Sequence, residues 1–299
     1  MVDVFIFVYQ CADAFALLAL SAVGLAIVFG MMGIINMAHG ELMMAGAFGS
    51  AYGYQAGLPV PLAICFGGVV ATILGLMLER LVVRFLYGRL LYSLVATWGI
   101  SLILSQGALI VLGPSARSLP TVLGNFSVGG VSFAYYRLVL FAIAAGIIAG
   151  LWVLLRYTSF GLHARATMAN PVMAGALGVD TTRIYMLTFG IGAFLAGIAG
   201  GLFSLTAPVQ PNFGASYTPI AFIVVVVAGP RNIVISLTLS ALVLALVKTA
   251  FTMNFNILIG YTAMLLAALL FLRLAPNGIF ELLLDAQRLL VRHPINRRT

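Results

Sequence analysis

Three polar side chains, Asn36, His39 and Glu41, crowd into the run Gly33-Ile34-Ile35-Asn36-Met37-Ala38-His39-Gly40-Glu41, between two long apolar stretches. Side chains of this kind are costly at membrane depth, and where they occur there they usually serve a solute path. Gly30, Gly33 and Gly40 would let a helix break here, as carriers do beside a substrate. The same residues would also make a tight cytoplasmic turn. Asn36 would then cap the next helix, with Glu41 in its first turn, where the dipole favours a carboxylate. The residues leave both readings open.

Other chemistry is excluded by what the sequence lacks. No Gly-x-x-x-x-Gly-Lys-Ser/Thr run occurs, and the single lysine, Lys248, follows Val247 inside an apolar run. ATP is therefore not hydrolysed here through a phosphate-binding loop. His39, His163 and His293 lie far apart, and Cys11 and Cys65 have no metal-ligand spacing. Both cysteines read as buried, inert thiols. No nucleophile, metal cluster or haem ligand pair emerges, so no catalytic residue, metal or cofactor is expected and the chain does not read as an enzyme. Glu41 and Glu79 are the only acidic residues near membrane depth. That argues against a proton relay or ion pump and fits a passage driven from elsewhere.

A second stretch, residues 156–183, carries Arg156, His163, Arg165, Asp180 and Arg183. Met168, Val172, Met173, Ala176 and Leu177 recur at helical spacing among them. Gly178 is placed as a C′ stop, and Asp180 or Thr181 as the next N-cap. The pattern predicts one short amphipathic helix over 163–178. It would either dock a partner or rest in the membrane interface.

Both stretches hang on elements that must live in lipid. Hydrophobic residues make up 63% of the 299 and charged residues 7%, against roughly 25% in a soluble domain. The expected spans are 14–33, 42–56, 60–78, 91–112, 138–155, 184–205, 214–229, 233–251 and 257–273. Runs of that length suit helices rather than the shorter alternating strands of a barrel. The fold expected is all-α: one polytopic transmembrane domain over 1–299, with about eight or nine membrane segments and a broken helix among them. The net charge of +8 is spread over short loops and the tail. It reads as a topology signal, not a nucleic-acid surface. Basic loops 79–90 and 156–183 and the tail 274–299 fall inside; the weakly charged 113–136 loop and the neutral Ala207–Asn212 stretch fall outside, as does the N-terminus. With Asp3 and Asp13 but no Lys or Arg before the first run, that run is expected to stay in the mature chain. Gly-rich segments at 24–53 and 190–214 fall in the two halves, with only a weak match between them.

The chain resembles the permease subunits of branched-chain amino acid ABC importers that work with a periplasmic binding protein. Asn36-Met37-Ala38-His39-Gly40-Glu41 is similar to that family's Asn-x-Ala-His-Gly-Glu signature, and Thr97-Trp98-Gly99-Ile100-Ser101 with Gln106 to its Thr-x-Gly-Leu-Ser…Gln stretch. Thr158-Ser159-Phe160-Gly161, Arg165-Ala166 and Gly178-Val179 resemble its ATPase-contacting loop, and Pro276-Asn277-Gly278-Ile279-Phe280 its terminal motif. The resemblance runs in order along nearly the whole chain. Asn170 stands where that loop often has an acidic residue, and Gly229-Pro230-Arg231-Asn232 where a Gly-Gly-x-Gly run is usual. The resemblance implies a solute path lined by Asn36, His39, Gly40, Glu41, Thr97, Ser101 and Gln106. It implies ATPase coupling through Gly161, Arg165, Asn170, Met173, Gly178 and Asp180. The implied partners are a second homologous permease subunit, two cytoplasmic ATPases, a periplasmic solute-binding protein and membrane lipid, in a bacterial inner membrane. Urea and short-amide permeases share much of this pattern and form the alternative. A stand-alone secondary carrier or a membrane enzyme subunit is a more distant one.

Overall fold

The computed structural model describes residues 2–114, 119–120, 123–229, 232–275 and 278–279. Arg117, Pro230-Arg231, Pro276-Asn277, Phe280 and nearly all of the basic tail lie outside the described residues. The chain begins with α1 (Val2–Met32), turns into α2 (His39–Gln55) and α3 (Val60–Leu81), passes a 3-10 turn at Val83–Leu86 and continues as α4 (Leu90–Leu112). An antiparallel hairpin, β1 (Asn125–Val128) and β2 (Val131–Ala134), leads into α5 (Tyr135–Tyr157). Two short helices, α6 (Ser159–Ala169) and α7 (Pro171–Ala176), precede α8 (Thr181–Phe203), α9 (Phe213–Ala228), α10 (Ile233–Asn254) and α11 (Ile257–Leu274).

Nine of these helices answer to the nine expected spans in order, but seven are long and apolar enough to cross a membrane. The two that fall short are α2 and α9, of 17 and 16 residues. At about 1.5 Å per residue they reach roughly 25 Å, less than a hydrocarbon core of about 30 Å. The first helix starts at Val2 rather than at 14 and runs for 31 residues. The all-α bundle expected is borne out, with one short hairpin added between α4 and α5. Its turn is Gly129-Gly130, both with positive φ (61° and 83°), the two-residue geometry that closes a hairpin with the right twist.

The two ends of the bundle differ. At one, the start of α1 meets the hairpin: Tyr9 donates its hydroxyl to Ala134 O at 2.8 Å, and Phe5 packs edge-on to Phe133. At the other, Tyr87 after α3 packs on Tyr185 of α8 with ring centres 4.8 Å apart, and donates to the Glu79 carboxylate. Burial, and then that carboxylate, push the Tyr87 hydroxyl far above the usual tyrosine range. The start of α1 and the hairpin thus share one end of the bundle, and the 79–90 turn and the start of α8 share the other.

Small residues hold the centre, as they must where no water drives helices together. The Gly-rich segments of the two halves pack directly on each other: a Cβ added at Gly46 would overlap the Gly197 backbone, and one at Gly200 would overlap Met43 O. Outward, Leu62, Phe66, Val69, Ile73 and Met77 line α3 at helical spacing and are all exposed, a stripe that only lipid or another apolar surface could cover. Cys65 lies on the exposed side of the same helix, so the expectation of two buried thiols holds for Cys11 alone.

Candidate functional site

The turn between α1 and α2 decides between the broken helix and the surface turn. His39, the first residue of α2, donates Nε2–H to Ser21 O at 2.9 Å. Ser21 lies eleven residues before the end of α1, about 16 Å back along its axis. Residues 33–38 therefore run back into the bundle in a non-helical strap, which about 3.3 Å per residue allows, and α2 starts level with a point about two-thirds of the way along α1. Asn36, His39 and Glu41 are 2%, 1% and 2% exposed. A helix break inside the bundle, not an exposed turn, accommodates them.

Backbone groups in such a strap need partners, because lipid offers none. The α4 hydroxyls supply them one turn apart. Ile35 N–H donates to Ser93 Oγ at 3.2 Å and Met37 N–H to Thr97 Oγ1 at 3.0 Å. Asn36 Oδ1 accepts from Ala38 N at 3.1 Å and so bends the chain into α2. Thr97, Asn36 and His39 thus hold the strap and the start of α2 in place.

A second break mirrors the first. After α8 the chain folds inward through Gln210-Pro211-Asn212 and begins α9 against the start of α2. Gly40 and Gly214 meet backbone to backbone there; a Cβ on either would overlap the other's main chain. Of the Ala207–Asn212 stretch, expected as an outside loop, Gln210, Pro211 and Asn212 line a cavity. Two prolines and a short following span signal this in the sequence.

Between the two breaks and α4 lies a cavity of about 610 Å³. Its polar lining is Glu41, Ser101, Ser105, Gln106, Gln210, Asn212 and Thr218; Trp98, Leu102, Leu109 and Pro219 supply apolar wall. Of the residues singled out in the sequence, Glu41, Ser101 and Gln106 reach it. Gly40 is the contact behind Glu41, and Ser105, Gln210, Asn212 and Thr218 were missed. Ser101 Oγ donates to Glu41 Oε1 at 2.9 Å. A larger apolar groove of about 810 Å³ between α1, α5 and α10 has no charged side chain in its lining and offers a polar solute nothing. No group of three or more His, Cys, Asp or Glu side chains that could hold a metal occurs among the described residues.

At the opposite end, residues 163–178 form two helices instead of the single one expected. Pro171 bars Asn170 from helical geometry (φ −160°, ψ 103°). Asn170 Oδ1 then accepts from Met173 N at 3.0 Å and caps α7. Gly161 N–H donates to Thr158 Oγ1 at 3.1 Å, and Arg165 donates to Leu155 O, fixing α6 against the end of α5. Gly178 takes φ +89° and Asp180 Oδ1 caps α8 through Arg183 N at 3.0 Å, as the spacing predicts. Met168 is partly buried, while Val172, Met173 and Leu177 are 81%, 58% and 79% exposed.

Comparison with known proteins places the chain in a family. Residues 8–274 match the family described as branched-chain amino acid transport system / permease component. The high-affinity branched-chain amino acid transport system permease protein BraD of Pseudomonas aeruginosa is 28% identical over 72% of this chain and 76% of its own length. The corresponding LivH of Escherichia coli K12 is 29% identical over 72% and 75%. A solved chain of PsaBC from Streptococcus pneumoniae in complex with Fab aligns over 92% of this chain and 95% of its own, at 13% identity and a TM-score of 0.46. With a family match over most of its length and a helical bundle built for lipid, this multi-pass membrane chain belongs to the permease components of branched-chain amino acid transport systems.

Proposed function

We propose that the chain is the membrane-spanning permease of an ABC importer that carries a branched-chain or other small amino acid into the cytoplasm. The observation that carries this reading is the polar cavity around Glu41, Ser101 and Gln106, set where two short helices begin inside the bundle. Discontinuous helices meeting inside the membrane are how carriers present polar groups to a solute. Relatives that transport branched-chain amino acids name the solute class.

Energy comes from two separate cytoplasmic ATPases, since the sequence has no phosphate-binding loop. They seat on α6 and α7, whose Val172, Met173 and Leu177 lack cover. Hydrolysis moves the solute only if it favours a different conformation from the one the delivered solute favours. A second permease subunit packs on α4. Of that helix only Ser93 and Thr97 are buried, yet it carries one wall of the cavity. A periplasmic binding protein delivers the solute at the hairpin end. The N-terminus is then periplasmic and the C-terminus cytoplasmic, in the inner membrane, with 1–299 as one permease domain.

The test is leucine uptake by proteoliposomes holding the chain with its co-purifying subunits. ATP-dependent uptake is expected. Uptake by the chain alone would make it a secondary carrier, and uptake of urea or acetamide in place of leucine would move it to the amide permeases.

A further inference from the structure

Glu41 is buried at 2% exposure, yet only one of its oxygens is satisfied. Oε1 accepts from Ser101 Oγ at 2.9 Å, while Oε2 has no hydrogen-bond partner among the described residues. No cation answers it there either: the single ion pair among the described residues joins Asp13 to Arg137 at the hairpin end of the bundle. The rest of the described polar lining, Ser105, Gln106, Gln210, Asn212 and Thr218, is neutral. A carboxylate so enclosed is costly unless a charge comes to it.

We propose that Oε2 of Glu41 receives the α-ammonium group of the amino acid in transit. Ser101 fixes the orientation of the carboxylate, and Trp98, Leu102 and Leu109 receive the apolar side chain. The proposal rests on the importer reading and adds the group that reads the solute's charge. An ammonium supplies both what the free oxygen lacks, an N–H donor, and what the described lining lacks, a positive charge. One vacant acceptor suits one donor of a small ammonium better than a guanidinium fork, which needs two acceptors side by side.

The test uses the full-length chain with Cys11 and Cys65 replaced by Ala and Ser105→Cys placed on the cavity wall. The new thiol is labelled with aminoethyl and with sulfonatoethyl methanethiosulfonate, each rate divided by that of free mercaptoethanol. Preference for the cationic reagent is expected to fall about tenfold in Glu41→Gln, as loss of one nearby charge in a partly shielded cavity requires. It is expected to persist in Glu41→Asp. Isopentylammonium should protect the thiol and isocaproate should not. An unchanged preference in Glu41→Gln, or equal protection by both compounds, overturns the proposal. Should Glu41→Gln fail to accumulate, the protection comparison in the chain that retains Glu41 decides alone. Normal leucine uptake by an assembled Glu41→Gln transporter also overturns it. A chain that keeps the cationic preference but carries no leucine when assembled refutes the importer reading and leaves the ammonium site standing.

Discussion

Gly40 and Gly214 touch through their main chains at the point where α2 and α9 both begin, and neither position has room for a Cβ. The two residues lie in opposite halves of the sequence. Their contact fixes the distance between the two helix starts and so the floor of the polar cavity. A methyl group on either would push the starts apart, with Glu41 moving on one side and Asn212 on the other.

Gly40→Ala and Gly214→Ala are each expected to destabilise the chain by about 1–3 kcal/mol, the usual cost of overpacking a tight contact. Thermal unfolding in detergent measures this. Gly99→Ala is the control, since a Cβ there meets nothing within 4 Å. An equal loss in all three variants would refute the contact's special role.

Thr97 and Gln106 sit on the same helix and are expected to behave differently. Thr97→Val keeps the shape but leaves the Met37 N–H without its acceptor, at about 1–3 kcal/mol. Gln106 is exposed on the cavity wall. Gln106→Ala should change stability by less than about 0.5 kcal/mol while raising the KM for leucine uptake severalfold. Thermal melts and uptake kinetics on both variants check the pair; a stable Thr97→Val with altered KM would place Thr97 in the path instead.

Much of this was legible from local pattern. Long apolar runs gave the order of the helices, and the run from Asn36 to Glu41 marked the first break because polar groups inside lipid have few structural uses. Which of its residues reaches the cavity was not legible. His39 turns to Ser21 and Asn36 to its own backbone, and only the packing of α2 against α3, α8 and α9 sends Glu41 the other way. The opposite wall was harder still. Gln210 and Asn212 read as a neutral surface loop, and their inward fold follows from a contact between glycines 174 positions apart in sequence. The break at Asn170 was visible in Pro171, but the apolar spacing across it suggested one continuous helix.

Topology has a direct test. The Ser127 and Arg89 positions are exposed at opposite ends of the bundle. In intact cells an impermeant thiol reagent is expected to label Ser127→Cys and to leave Arg89→Cys unlabelled until the membrane is opened. The reverse pattern would invert the chain and put α6 and α7 outside, where no ATPase could reach them.

The coupling surface rests on three exposed side chains. Val172, Met173 and Leu177 project from a six-residue helix and its end, too short an element to stay folded on propensity alone. Capping by Asn170 and the stop at Gly178 hold it, so a substitution on its open face should leave the fold intact. If those side chains seat in an ATPase groove, Met173→Asp places a charge in an apolar contact. The ATPase should then fail to co-purify, or hydrolyse ATP without leucine uptake, while the variant melts at the wild-type temperature. If they instead rest among lipid headgroups, a single aspartate at the interface costs little. Co-purification and coupled uptake would then survive, and α7 would be a membrane-surface element with no part in coupling.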